Sequence, residues 1–145
     1  MYDIERITKI INDIEKYKKE LEEFKIKSKK ELEDTKTLHA SAMVCLAILS
    51  RTIDLGQEIL VKENMPMPGR YADIFLSLAK AGVLNKKEAE DINKLIAFRN
   101  AIAHNYFDLD KNEIFRIISN LNLIDLAIDR IKKRVRKWTL EEVSH

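Results

Sequence analysis

The chain has 145 residues, enough for one domain with a substantial core and no metal or disulfide to hold it together. Apolar residues make up 46% and charged residues 34%, with three Gly and two Pro, a profile that excludes a disordered chain and points to a mostly helical globular one. The net charge of +2 gives no global bias toward nucleic acid or membrane.

Apolar residues recur at Ile4, Ile7, Ile11, Ile14, Leu21 and Phe24. This spacing predicts an amphipathic first helix with a narrow, coiled-coil-like seam. "SKKE", Ser28 to Glu31, has the form of a capping box. Either it marks a break before a second helix, or one long helix runs through it. The second long helix runs from about Asp34 to Glu63. Ala42, Leu46, Leu49, Ile53, Gly56 and Leu60 form its stripe, and Cys45, Ile48, Leu55 and Ile59 widen that stripe to about half the circumference. Such a helix belongs at the centre of a bundle. Cys45 is the only cysteine, so it forms no intramolecular disulfide, and it reads as a small buried hydrophobe rather than a nucleophile. "NMPMPG" then stops the helix.

A short helix fits "RYADIFLSLAKA", with Gly82 at C′ and Val83 as the apolar residue after it. "NKKE", Asn85 to Glu88, is a second capping box and opens a helix carrying Ile92, Leu95, Ile96 and Phe98. "DKNE", Asp110 to Glu113, is a third, with Leu109 and Ile114 as its hydrophobic staple. The last helix repeats Ile114, Ile117, Leu121, Ile124, Ile128, Ile131, Val135 and Trp138. No alternating strand pattern and no internal repeat stand out. The expectation is a single all-α domain over residues 1–145, an antiparallel bundle of four long helices plus one short one. No leader and no apolar run long enough to span a bilayer stand out, so the expected compartment is cytoplasmic, without membrane.

Residues 132–137, "KKRVRK", hold five cations around one valine. They read as a solvated helix end that complements the C-terminal macrodipole. The competing reading is contact with phosphates. His39 and His145 have no ligand spacing to one another or to other residues, and neither is assigned to a metal.

"RNAIAHNY", Arg99 to Tyr106, sets polar side chains inside an apolar segment. On a regular helix Arg99 joins the stripe of Ile92, Leu95, Ile96, Phe98 and Ile102. An arginine keeps its charge, so partial burial demands a partner or a wet cleft. His104 follows five residues on, about 140° around the axis. Two arrangements bring the pair together: the helix distorts near Ala103, or the residues meet counterparts across a subunit interface. Structural roles compete at each position. Arg99 is also a candidate ion-pair partner, His104 a helix C-terminal cap, and Tyr106 an ordinary core residue with its hydroxyl at the surface.

The chain resembles the HepT toxin family of the HEPN superfamily. The family motif Arg-x4-His-x-Tyr is matched by Arg99, His104 and Tyr106, and Asn100 fits the usual residue after the arginine. "AILSRTIDLGQEIL" and "RYADIFLSLAKAGVL" look like the family's second helix and the segment leading into its motif helix, so the resemblance covers nearly the whole chain. The central "AIA" is smaller than the bulky pair more usual there. The resemblance implies a HEPN-like fold and a metal-independent RNA endonuclease toxin that needs no cofactor. It acts as a homodimer, with motif residues of both subunits lining one cleft. His104 is then a general acid or base for attack of the ribose 2′-OH on the adjacent phosphate. Arg99 holds that phosphate and stabilises the charge that builds up on it, and Asn100 orients the phosphate or His104. Tyr106 matches a position modified with AMP by an MNT-type minimal nucleotidyltransferase, the antitoxin. Asp54 falls where the family's second helix carries an acidic residue, as a supporting site residue. By its neighbours Ser50, Arg51 and Glu58 it reads as a solvated carboxylate. The alternative function is a non-catalytic, substrate-binding partner subunit of the nucleotidyltransferase.

Overall fold

A computed structural model describes the backbone of residues 2–144 and the side chains of residues 2–137. Trp138 of the last apolar stripe therefore lies outside the described side chains, and His145 outside the described residues. The described residues are helical, in turns or irregular, with no strand among them.

Helix α1 spans Ile4–Glu23 and buries Ile7, Ile10, Ile11, Ile14 and Leu21, the seam expected of it. Asp3 caps it by accepting the Arg6 N–H at 3.0 Å. The chain does break after α1, with Lys25 in the left-handed region at φ 53°. The carboxylate of Glu31 accepts the Ser28 N–H at 3.3 Å, but this box opens only a 3₁₀ turn over Lys29–Glu33. A fresh cap at Asp34, which accepts from the Thr37 N–H at 2.9 Å, starts α2 over Thr35–Lys62.

Helix α2 is the hub. It runs along α1 and also touches the first 3₁₀ turn and the helices that follow in the chain up to residue 119. It buries Ala42, Cys45, Ile48, Leu49, Ile53, Leu55, Ile59 and Leu60, while Leu46 stays at the edge. Burial pushes the Cys45 thiol up to about 12, as fits an inert core residue. By length and composition α2 is apolar enough to cross a membrane, contrary to the expectation that no run suffices. In this fold its apolar stripe goes into the bundle core, Met43 and Val61 stay exposed, and Arg51 and Asp54 on its outer face are ion-paired.

After the Pro-rich segment, a 3₁₀ turn over Tyr71–Asp73 leads into α3, Ile74–Lys80. Helix α3 presses on α2 at Gly56, where a Cβ would stand 2.7 Å from Ile74 Cγ2 and 3.2 Å from Phe75 Cζ. It ends in the expected Schellman motif. Gly82 takes φ +82°, its N–H bonds the Ala79 carbonyl at 3.0 Å, and the Val83 N–H bonds that of Leu78 at 3.0 Å. Asn85 and Glu88 close a reciprocal capping box that starts α4, Lys86–Ile96.

Two segments expected as single helices are each divided. The motif helix is interrupted at Ala97, so that α4 is followed by α5 over Phe98–His104. The last is interrupted at Asn120, giving α6 over Lys111–Ser119 and α7 over Leu121–Ser144. The second break has a local cause: Asn120 takes φ −125°, ψ 23°, and its side-chain amide bonds the Arg116 carbonyl at 2.7 Å, which ends α6. The box expected at Asp110 is half-formed, with Asp110 accepting from the Asn112 N–H at 2.8 Å. Leu109 and Ile114 do pack into the core.

The basic tract is split by role. Arg134 pairs with Glu63, whose side chain is 6% exposed, and donates to the Ala81 carbonyl at 3.1 Å. Val135 is buried, and Lys133 lies 3.4 Å from Asp129. One of the five cations therefore fastens α7 to the ends of α2 and α3 instead of standing in solvent. Burial, and then the neighbouring Glu63, hold the Tyr2 hydroxyl well above its usual range beside this pair.

Candidate nucleic-acid site

Helix α5 carries four of the five residues in question, or leads directly to them. It begins immediately after the break at Ala97, where the backbone keeps helical angles (φ −57°, ψ −28°) and the Ala97 N–H still reaches the Asn93 carbonyl at 3.0 Å. Ile102 anchors it in the core, and Arg116 from α6 lies 5.7 Å from the centre of the Phe98 ring. It ends at His104, and Asn105 closes it with an N–H to the Ala101 carbonyl at 3.0 Å. A turn follows, fixed by the Asp108 N–H on the Asn105 carbonyl at 2.9 Å.

Arg99 is half-buried. Its Nη1 donates to Asn100 Oδ1 at 3.0 Å, and its Cζ stands 5.1 Å from the centre of the Tyr71 ring. Among the described residues no carboxylate comes within ion-pair distance of it. His104 is exposed, and Tyr106 is 54% exposed, its ring 4.1 Å from that of Phe107. Tyr106 is thus no core residue. Asn100 and His104 are four residues apart and so share one face of α5. The interruption at Ala97 keeps helical angles and lies ahead of both Arg99 and His104, so it does not turn one toward the other. Among the described residues no hydrogen bond joins the two.

Asp54 stands apart from this group. Its carboxylate takes Arg51 Nη1 at 3.0 Å, and Arg51 is held from the other side by Asp13 at 2.6 and 3.0 Å. This network joins α1 to α2, and among the described residues no hydrogen bond links Asp54 to the motif. Arg51 keeps Asp13 below the usual carboxylate range.

The motif lies on open surface. The cavity that touches it, lined by Ala101, Ile102, Asn105, Asp108 and Leu109 among others, holds only about 90 Å³. Larger depressions lie elsewhere, between α1 and α7 and beneath the Met65–Pro68 segment. Among the described residues no three His, Cys, Asp or Glu side chains converge as a metal site requires. Tyr71 is the contact that the sequence did not disclose. It lies 28 residues before Arg99 on another element, and no local pattern marks it.

A family model described as "Ribonuclease HepT-like" matches residues 7–138. The chain belongs to the HepT-like ribonuclease family. A candidate RNase of Bacillus subtilis (strain 168), YutE, is 30% identical over 91 residues, which cover 63% of this chain and 61% of YutE, less than two thirds of that relative. The structure of YutE, described as a cytosolic protein of unknown function, superposes with a TM-score of 0.73 over 100% of this chain and 97% of that one, at 24% identity. A tri-AMPylated HEPN toxin of Shewanella oneidensis in complex with an MNT antitoxin gives a TM-score of 0.79 at 20% identity, over 92% and 99% of the two chains. A toxin–antitoxin complex with AMP-PNP gives 0.79 at 18%, over 88% and 97%. At these identities the likenesses establish the fold, which is all-helical and HEPN-like. The HepT-like resemblance read from Arg99, His104 and Tyr106 is thereby borne out as a family assignment.

Proposed function

We propose that this HepT-like chain is a metal-independent RNA endonuclease, the toxin of a pair whose antitoxin is an MNT-type nucleotidyltransferase, and that it works as a cytoplasmic homodimer. The observation that carries this reading is Arg99: a half-buried guanidinium held by Asn100 and Tyr71, with no carboxylate within ion-pair distance among the described residues, on the same seven-residue helix as an exposed histidine. Membership of the family and the fold shared with a HEPN toxin support it.

In this scheme the 2′-oxygen of a ribose attacks the adjacent phosphorus, and the bond to the 5′-oxygen of the next nucleotide breaks. His104 takes the 2′-OH proton as base or delivers one to the leaving 5′-oxygen as acid. Arg99 binds the phosphate and meets its growing charge with a planar fork of donors. Asn100, facing the same way as His104, steers the guanidinium. DNA is not a substrate, because it lacks the nucleophile. Regular α5 geometry leaves Arg99 and His104 of one chain about 140° apart, and the cavity beside the motif is small, about 90 Å³. A two-fold partner supplies the opposing wall and the opposing motif. Asp54 supports the α1–α2 framework through Arg51 on this reading.

Tyr106 is the control point. Its exposed ring is accessible to a nucleotidyltransferase, and an attached AMP brings a bulky anion beside His104 that excludes the RNA phosphate. The same exposure favours a second reading, in which the chain is a non-catalytic subunit that only presents Tyr106 to its partner.

Purified protein in EDTA, given single-stranded RNA, separates the two. The nuclease reading expects products ending in 2′,3′-cyclic phosphate or 3′-phosphate, lost in His104→Ala. Uncut RNA, or full activity in His104→Ala, contradicts it. Intact-mass measurement after treatment with the cognate nucleotidyltransferase and ATP then checks Tyr106: one or more AMP units are expected on wild type and none on Tyr106→Phe.

A further inference from the structure

Tyr71 lies outside the motif, yet it touches the motif's one charged anchor. The centre of its ring is 5.1 Å from Arg99 Cζ, and it is itself 39% exposed. It sits on the 3₁₀ turn Tyr71–Asp73, ahead of α3 and on a different element from α5. The acidic residue of that turn, Asp73, is engaged by Arg70, whose Nε lies 3.1 Å from Asp73 Oδ2.

The choice of contact has a chemical consequence. A carboxylate beside Arg99 would hold it in place but neutralise it and occupy its fork. An aromatic face attracts a cation through the ring quadrupole without accepting its hydrogen bonds. Asn100 uses one of about five guanidinium N–H donors. The others stay available for a phosphate. Ring and amide together fix the direction of the guanidinium while leaving its charge intact.

We infer that Tyr71 is a positioning residue for Arg99: its ring holds the guanidinium in the orientation that meets the charge developing on the scissile phosphate of RNA in the transition state. This rests on the nuclease reading above. It acts through Arg99 and touches no reacting atom, so what matters is the aromatic face and not the hydroxyl. Among the described residues the hydroxyl has no hydrogen-bond partner.

The test compares Tyr71→Phe, Tyr71→Leu and Tyr71→Met in steady-state cleavage of single-stranded RNA. Tyr71→Phe keeps the face and stays within about twofold of wild type in kcat and KM. Tyr71→Leu and Tyr71→Met lose roughly tenfold in kcat, the scale of a partly desolvated cation–π contact, with KM changed by less than about twofold. Wild-type kcat in Tyr71→Leu and Tyr71→Met, or an equal loss in Tyr71→Phe, overturns the proposal. A second readout needs no activity. The Arg99 Nε–H resonance, assigned by its absence in Arg99→Lys, is shifted upfield by the ring in wild type and Tyr71→Phe and returns toward the free-arginine position in Tyr71→Leu. An unshifted resonance in wild type overturns the clamp itself. If wild type cuts no RNA, the nuclease reading falls, while the resonance still decides whether the ring holds Arg99.

Discussion

Arg134 and Arg99 are both removed in part from water, and the protein treats them in opposite ways. Arg134, between α7 and the ends of α2 and α3, meets the nearly buried Glu63 and a backbone carbonyl. Arg99, on α5, meets a neutral amide and an aromatic ring. Arg51 follows the first pattern, with Asp13 and Asp54 on either side. An arginine that holds the fold is given a carboxylate. On the proposed function Arg99 is kept for a ligand, and it is held by groups that do not cancel its charge.

The contrast can be broken first at Arg134. Arg134→Ala removes the cation beside the nearly buried Glu63 carboxylate, and should cost about 3 kcal/mol, roughly 10 °C in melting temperature. Unchanged thermal melting would mean that the pair is not structural. Next comes the α2–α3 contact, which fixes the turn that carries Tyr71. Gly56→Ala drives a methyl group into Ile74 and Phe75, and should cost about 1–3 kcal/mol by denaturant titration. Fast cleavage in the folded fraction would show that the turn tolerates the shift.

Smaller effects sharpen the comparison. Arg51→Ala removes a partly exposed network and should cost about 1 kcal/mol or less, with RNA cleavage within about twofold of wild type. Asp54→Asn should behave likewise. A tenfold loss of cleavage in Asp54→Asn, with stability intact, would return Asp54 to the site. The pH dependence has a definite sign. Asp13 is held below its ordinary value near 3.8, chiefly by its hydrogen bond from Arg51. Its contribution is present above that unfolded-state value and is lost as the pH falls through the lower folded-state one. Acid unfolding of wild type should therefore show this loss below about pH 4, and Arg51→Ala should show less of it.

The legible parts of the sequence were those with local causes. The α1 seam, the wide stripe of α2, the Asn85–Glu88 box and the Gly82 Schellman turn each follow from spacing or from one residue's backbone preference. The division at Asn120 had a signal, an asparagine within an apolar stripe, whose side chain turns back on Arg116. The break at Ala97 had none. No Gly or Pro is nearby, and the contacts around it, Phe98 with Arg116 and Arg99 with Tyr71, come from distant segments. For the same reason the motif residues could be named from the sequence while the ring that holds Arg99 could not. The basic tract was legible as charge, but its division depended on where Glu63 would fall.

The most direct measurement is a paired one on Arg99→Ala: single-stranded RNA cleavage in EDTA beside thermal melting of the same sample. If Arg99 is kept unneutralised for a phosphate, cleavage should fall by about 100-fold or more, while melting stays within about 2 °C of wild type. Wild-type cleavage by Arg99→Ala, or a loss of stability as large as that of Arg134→Ala, would contradict the account.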